Sequence, residues 1–469
     1  MRRMTKTIRL PGGKPQGARE VAMSVLHNVE TRGAYSGLEL NQAIQAAGLS
    51  RPDAALATEL AYGTIQRLNT IDHALQSRVK GWPKKIEPWV RALLRMSYYQ
   101  LRWLTRVPAH AVVDEAVGIA KKRGHAGIGG LVNGVLRAVL REGFAAPLPQ
   151  GLTPAERIAL EHSHPLWLVE RWLAEFGEAA AERMCAANNE PPHVSARINP
   201  LKTTRERVLA EMADAGIEAA PSRLAPEGII ASRTGNLVHS EWYKQGSLTV
   251  QDESSMLVAS VADPRPGMRV LDCCAAPGGK TTHLAEKMRD EGTIVANDVH
   301  PHKEALIKQQ AERLNLTAVR TMTADALELA DKLEPESFDV VLLDAPCSGL
   351  GVIRRKPEIK WNKSEADIGS LSELQSRLLD RVQALVKPGG TLVYSTCTIA
   401  PEENENAVRL FLQRHPAFSL EPEGWTEETL GPLREAGVAT EPFEGMLQLL
   451  PDMFGSDGFF IARLRKQNG

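Results

Sequence analysis

The chain has 469 residues, with 56 Lys+Arg against 57 Asp+Glu, 43% hydrophobic and 24% charged, proportions of a folded globular protein rather than a disordered or fibrous one. That length exceeds what one ordinary core fills, so two to four domains are expected. No apolar run approaches the roughly 18–20 residues of a membrane helix, and the basic start Met1–Lys6 is followed by no apolar leader segment, so a cytoplasmic protein is expected.

Charge is divided unevenly. Residues 1–150 hold 22 Lys+Arg against 10 Asp+Glu, a net of +12, and the remainder holds 34 against 47, a net of −13. A polyanion meeting the N-terminal region would explain this. From about Ala18 to Arg141 the apolar spacing is helical: Val21, Val25 and Leu26, then Val90, Leu93, Leu94, Tyr98 and Leu101, then Leu131, Val135, Leu136, Val139 and Leu140. Breakers at Gly48, Gly81-Trp82-Pro83 and Val107-Pro108 fit turns between helices. Residues 15–145 are therefore expected to form an all-helical domain. Its run Lys121-Lys122-Arg123 reads as a solvated face open to RNA, and Phe144–Pro154 as a linker.

Residues 155–240 read as a small α/β module of βαβ type. Val194–Ile198 and Gly228–Ala231 are its strands, and Thr204–Ala215 is a Thr-capped helix. His162 and His164 precede Pro165 with no third ligand nearby, which reads as a surface pair, and no metal is expected. Cys185 reads as core.

From Ser247 the pattern becomes regular. Buried-type strands at Arg269–Cys273, Thr293–Asp298, Ala318–Met322, Phe338–Leu343 and Thr391–Tyr394 alternate with helices at Thr281–Met288, His302–Leu314, Ser372–Val386 and Glu403–Arg414. This predicts a Rossmann-like parallel sheet, covered on both faces, over residues 241–467. Met446–Leu450 and Gly458–Leu464 read as a hairpin added at its edge.

The stretch Val270 to Lys280 runs from a strand through a turn of small residues into a helix. Such a loop lets the backbone approach a ligand, and the helix start offers N–H groups. It has neither the spaced glycines of a dinucleotide fold nor the frame of a phosphate loop. Asp298, Asp325 and Asp344 fall at the ends of the second, third and fourth strands, the crevice side of a parallel sheet. Asp298 is placed to accept from ribose hydroxyls and Asp325 to reach an adenine edge. Carboxylates there suit a cofactor carrying positive charge, such as a sulfonium.

Five cysteines (185, 273, 274, 347 and 397) with no Cys-x-x-Cys pair disfavour disulfides and structural zinc. Cys273 and Cys274 read as packing or backbone positions of the loop. Cys347, in Asp-Ala-Pro-Cys, and Cys397, in Ser-Thr-Cys, follow the fourth and fifth strands and open onto the same crevice. Paired thiols suit methyl transfer to carbon 5 of cytosine: one adds at carbon 6 to make carbon 5 nucleophilic, and a second group assists release. Asp344 suits the N3–N4 edge of that base. Spacing leaves open which thiol attacks.

These stretches, with Val250–Ser255 and Arg354–Trp361, resemble the ribosomal RNA (cytosine-C5) methyltransferases of the NOL1/NOP2/sun family over residues 245–465. Ala18–Ala22 and Leu131–Arg137 resemble a NusB-type RNA-binding domain, and residues 155–240 would then be an RRM-like module. The resemblance implies S-adenosyl-L-methionine as cofactor, bound by Cys274, Ala275, Ala276, Pro277, Gly278, Gly279, Lys280, Asp298, Asp325 and Asp344. It makes Cys397 the nucleophile, Cys347 the release group and Asp344 their catalytic companion. It implies small-subunit ribosomal RNA as partner, with no membrane partner, and a monomer is expected. A DNA cytosine-C5 methyltransferase is disfavoured by Ser-Thr-Cys and by the lack of a separate target-recognition insertion. A non-catalytic RNA-binding factor is disfavoured by the intact cysteines and aspartates.

Overall fold

The helical spacing of the first third folds into α1 (Gly17–Arg32), α2 (Ser36–Ala47), α3 (Arg51–Gln66), α4 (Leu68–Gln76), α5 (Pro88–Trp103), α6 (Ala109–Arg123) and α7 (Ala126–Glu142). The computed structural model describes residues 13–144, 146–232, 236–438 and 443–468; the basic start Met1–Lys6 and Ala145 of the expected linker lie outside the described residues. Gly48 ends α2 in the left-handed region and Ser50 caps α3 by accepting from the Asp53 N–H, the two ends glycine and serine favour. Val90, Leu93, Leu94 and Tyr98 of α5 enter the core as expected, as do Val135, Leu136 and Val139 of α7. Leu131 and Leu140, assigned to the same stripe by spacing, are exposed. They sit one position to either side of it, beside Val132 and Val139.

Three further helices follow: α8 (Pro154–Glu161), opened by a Thr153–Glu156 capping box, α9 (Leu166–Phe176) and α10 (Glu178–Ala187). The chain forms two compact units. One is residues 1–190 with the decapeptide Ile353–Asn362; the other is Pro191–Val352 with Lys363–Gly469.

The second unit opens with β1 (Val194–Ile198), α11 (Arg205–Asp214), β2 (Glu218–Pro221), β3 (Gly228–Ser232), the turn α12 (Glu241–Lys244) and β4 (Leu248–Val250). These strands form a sheet of order β2-β3-β1-β4 in which every pair is antiparallel. The expected βαβ unit is present in split form: β1, α11 and β2 make the crossover, with β1 and β2 parallel on either side of β3. After α11 the chain hairpins from β2 straight into β3, with Ser222 N–H donating to Gly228 O at 2.9 Å, and a hairpin return cannot give parallel neighbours.

Beyond α13 (Glu253–Ala262) the chain alternates: β5 (Arg269–Asp272), α14 (Gly279–Lys287), β6 (Thr293–Asp298), α15 (Pro301–Leu314), β7 (Val319–Thr323), α16 (Leu329–Lys332) and β8 (Phe338–Asp344). The turn α17 (Ile359–Asn362) closes the decapeptide. Then come α18 (Glu365–Val382), β9 (Val386–Thr396), α19 (Glu405–Arg414), β10 (Phe418–Leu420), α20 (Glu427–Glu435), β11 (Met446–Leu449) and β12 (Phe459–Lys466). The sheet order is β10-β12-β9-β8-β5-β6-β7, with β11 also on β12. β5 to β9 pair parallel, and β12 adds antiparallel on β9. Both sheet faces are covered by apolar clusters, which is why the strands read as continuous apolar runs. Among the described residues, no helix is long and apolar enough to cross a membrane.

The decapeptide is held in the helical unit by polar contacts, most of them with backbone. The Glu358 carboxylate accepts from Ser36 N–H at 3.2 Å and Ser36 Oγ at 2.7 Å. Lys360 Nζ donates to Gln66 O at 2.9 Å, Trp361 Nε1 to Ile65 O at 2.8 Å, and Arg354 Nε to Ala187 O at 2.8 Å. Lys360 is fully buried, and that burial drives its pKa well below the usual lysine value.

Candidate active site

Four parallel strands deliver the site. β5 ends at Asp272, β6 at Asp298, β8 at Asp344 and β9 at Thr396, immediately before Cys397. A cleft of about 430 Å³ opens at these ends, and Cys274, Ala276, Asp298, Asp325, Asp344, Cys347 and Cys397 all line it. Of the other expected cofactor residues, Ala275, Pro277, Gly278, Gly279 and Lys280 do not line it. They shape the turn behind it. Gly278 takes φ +105°, and a Cβ there would stand 3.2 Å from Ile307 Cα, a crowding that only glycine avoids. Ala275 N–H donates to Asn297 O at 2.7 Å, joining the turn to β6.

Sequence reasoning missed Asn297, Val299, Lys303 and Leu327 of the lining. Asn297 and Val299 flank Asp298, so strand-end position alone could have flagged them; Lys303 lies on α15 and carries no local signal. Asn297 Nδ2 donates to Cys273 O and Ala324 O, at 2.9 and 3.1 Å, while its Oδ1 is buried with no donor among the described residues. Asp298 Oδ1 accepts from His300 N–H at 3.0 Å, and Asp325 Oδ1 from Leu327 N–H at 2.9 Å. Each aspartate thus fixes its own turn with one oxygen. Asp325 lies two residues beyond the end of β7 rather than on it.

The thiols of Cys347 and Cys397 lie 3.3 Å apart, sulfur to sulfur. The hydrogen bond with Cys397, then burial, then the charges of Cys397, Glu403 and Asp344 push the Cys347 thiol well above its ordinary pKa. Asp344 accepts from Lys280 Nζ at 2.7 Å and from Ser395 Oγ at 2.8 Å. Lys280 Nζ stands 5.1 Å from the Phe459 ring centroid. Burial opposes the Lys280 charge, but Asp344, with Cys397 and Asp272 behind it, holds its pKa above the usual value. The Lys280 ammonium is thus held by Asp344 behind the cleft, near enough to Cys397 for the two charges to interact. Asp272 is fully buried, and burial raises it to about 7 against a hydrogen bond from Thr281.

Cys273 is buried and Cys274 lines the cleft, both with thiols raised chiefly by burial. Cys185 is core, as expected. Two expectations are corrected. His164 is no surface residue: it is fully buried, packs on Trp172 at 5.7 Å and bonds to His162 O through Nδ1, because the chain turns inward at Ser163–Pro165. Arg123 of the basic run is buried too, paired with Glu20 at 2.8 Å, and Lys122 bonds the same carboxylate at 3.0 Å. Glu161, His162 and Glu182 come together, but Arg157 bridges both carboxylates at 2.7 and 2.9 Å.

The arrangement of domains is shared with known proteins. Residues 259–465 match the family model described as 16S rRNA methyltransferase RsmB/F, residues 16–141 the NusB family, and residues 164–237 the ferredoxin-like domain of RsmF/B-like methyltransferases. The probable ribosomal RNA small subunit methyltransferase B of Bacillus subtilis is 43% identical, over 97% of this chain and 100% of its own length. The chain belongs to the RsmB/F methyltransferase family. Its Synechocystis relative of the same description is 38% identical over 96% of this chain and 99% of its own. Among solved structures, that of PH0851 is 29% identical, covers 96% of this chain and 98% of its own, and superposes with a TM-score of 0.79. A methyltransferase homolog from Pyrococcus horikoshii is 30% identical over 67% of this chain and 100% of its own, with a TM-score of 0.57. The expected resemblance, the helical NusB-like domain, the small α/β module and the Rossmann-like methyltransferase domain are thereby established for this chain.

Proposed function

We propose that this RsmB/F-family enzyme methylates carbon 5 of one cytidine in small-subunit (16S) ribosomal RNA through a covalent Cys397 adduct, with S-adenosyl-L-methionine as methyl donor. The observation that carries the reading is the pair of thiols at 3.3 Å in a cleft lined by Asp344, whose carboxylate holds the Lys280 ammonium from behind.

The cleft fits the cofactor. Its volume of about 430 Å³ lies in the range of small-ligand sites, and Asp298, Asp325 and the donorless Asn297 Oδ1 offer acceptors for a nucleoside. Cys274, Ala276 and Asp344 line it beside them, and the turn Ala275–Lys280 closes it from behind. When bound, S-adenosyl-L-methionine supplies an electrophilic methyl group.

The protein's own groups do the rest. Lys280 favours the thiolate of Cys397, which adds to cytosine carbon 6 and breaks the C5–C6 double bond. Asp344 holds the N3–N4 edge, with Lys280 paired behind it, so the electron pair gained by the ring is stabilised until carbon 5 takes the methyl. Loss of the carbon-5 proton to solvent water then restores the double bond and expels the Cys397 thiolate. Cys347, kept protonated by its surroundings, hands its proton toward the leaving sulfur.

The target base must leave its stack, at a cost of a few kcal/mol, and phosphate contacts with the NusB-like domain, in the region of net +12, offset that cost. Such a substrate entails a cytoplasmic site of action, and the enzyme is taken to act as a monomer. Cys397→Ala is expected to abolish methyl transfer while retaining cofactor binding, and Cys347→Ala to accumulate a protein–RNA adduct visible on a denaturing gel. Activity in the first variant, or no adduct in the second, would overturn the assignment. Bisulfite mapping of ribosomal RNA from cells lacking the protein should show one lost methylcytosine.

A further inference from the structure

We propose that Glu403 and Asn404, neighbours just before α19, are positioning residues that set the spacing of the two thiols. The inference rests on the two-cysteine reading above and extends it to residues outside the cleft.

Each cysteine is followed by a hydroxyl residue, Ser348 after Cys347 and Thr398 after Cys397. Those hydroxyls meet at 2.7 Å, and both residues are buried. Glu403, itself fully buried, gathers the loop after β8. Its carboxylate accepts from Ser348 N–H at 2.9 Å, from Ser348 Oγ, and from Gln375 Nε2 at 2.9 Å. Since the Ser348 proton goes to Glu403, the Thr398 hydroxyl donates to Ser348 Oγ, giving a relay Thr398 to Ser348 to Glu403. Gln375 Nε2 also donates to Pro346 O at 2.9 Å. The residues on both sides of Cys347 are thus tied.

Asn404 does the same for the loop after β9. Its Oδ1 accepts from Thr396 Oγ1 at 2.6 Å, and its Nδ2 donates to Thr398 O at 3.0 Å. Both neighbours of Cys397 are therefore held as well. The carbonyl of Glu403 accepts from the buried Tyr394 hydroxyl at 2.6 Å, fixing the dipeptide to β9. Each contact lies within the second compact unit.

A buried carboxyl group costs free energy unless its donors are all in place. Here the donors are two groups of Ser348 and one of Gln375, so the satisfaction of Glu403 and the placement of Cys347 are one event. Thiol addition and release need the two sulfurs on one base within a few tenths of an ångström, and a small misplacement lowers the rate of the covalent step more than it weakens binding.

The test is Glu403→Gln, which keeps the shape but sets an amide donor against the Ser348 and Gln375 donors. Two readouts are taken on the full chain. In the first, RNA methylation should show kcat lowered about 10- to 100-fold, with KM for RNA and cofactor affinity within about 3-fold of the parent. The second needs no methyl transfer. One equivalent of hydrogen peroxide takes the two thiols to a Cys347–Cys397 disulfide and two waters, and its rate reports their juxtaposition. It should fall at least about 5-fold in the variant, because disulfide closure is geometrically demanding. Where Glu403→Gln does not fold, Ser348→Ala removes only the hydroxyl link and carries the same readouts with smaller changes. Disulfide formation at the parental rate in a folded variant overturns the proposal, whatever happens to activity. Parental kcat with slowed closure overturns it too. If closure slows as expected while Cys397→Ala retains activity, the two-cysteine chemistry fails and the positioning geometry stands.

Discussion

Arg197 on β1 and Glu286 on α14 are both fully buried, and they join the small antiparallel sheet to the helix that starts at the cofactor turn. The guanidinium makes a two-pronged pair with Glu286, each bond 2.8 Å. It also donates to Gly279 O at 3.0 Å, to Thr282 Oγ1 at 3.3 Å and to Gln251 Oε1. Arg197→Ala would strand the Glu286 carboxylate in the core, a loss of roughly 3–5 kcal/mol. Against a usual stability of about 5–15 kcal/mol this is large. At ~1.4 kcal/mol per tenfold, hydrogen exchange at the slowest amides of β1 and α14 should speed up between about a hundredfold and a few thousandfold. Replacing the pair together, Arg197→Met with Glu286→Leu, removes both charges and should recover most of that loss. Because the Gly279 carbonyl keeps Thr282 Oγ1 but loses Arg197 in either variant, cofactor affinity should fall in both. An exchange change under about fivefold in the single variant, or a double variant no better than the single, would refute the argument that charge burial governs this junction.

Three further outcomes are expected. Lys280→Gln removes the cation held by Asp344 near Cys397, so the rise of kcat with pH should move to higher pH; an unmoved profile refutes the role. Asp272 binds its proton more tightly when folded, at about 7 against 3.8, so its contribution is full below 3.8 and is lost as pH rises through 7. Urea-unfolding stability should therefore fall by ~4 kcal/mol more between pH 4 and 8 in the parent than in Asp272→Asn, and equal pH slopes would refute this. Gly278→Ala forces a Cβ into the left-handed region against Ile307, which should cost about 1–3 kcal/mol and weaken cofactor binding measured by calorimetry.

The parallel sheet was legible because its strands are buried on both faces, so Thr293–Asp298 could be placed to the residue. The strand expected at Thr391–Tyr394 begins at Val386 as β9, through Lys387-Pro388-Gly389-Gly390, residues typical of turns. The structure makes them a bulge, pairing Phe338 with Val386 and Val340 with Thr391. α18 begins seven residues earlier than its apolar spacing suggests, and the Ser364–Asp367 capping box was the signal passed over. β10 has three residues and no pattern of its own; it is defined by its partner, β12. In the site, strand ends gave the aspartates and both thiols. The pairing of Glu403 with Ser348 and of Lys280 with Asp344 could not be read, since the partners lie 55 and 64 residues away.

The decapeptide Ile353–Asn362 makes the helical unit discontinuous in sequence. A fragment cut at Glu190 would end where linear reading draws a border, yet it would lack Glu358, Lys360 and Trp361. The Ser36 amide and the Ile65 and Gln66 carbonyls would then lose partners the intact chain supplies. Such a fragment should behave as a receptor short of its own ligand, firmer once a synthetic peptide of those ten residues is added. For anyone grafting this domain onto another enzyme, the transferable part is therefore two pieces of chain, not one.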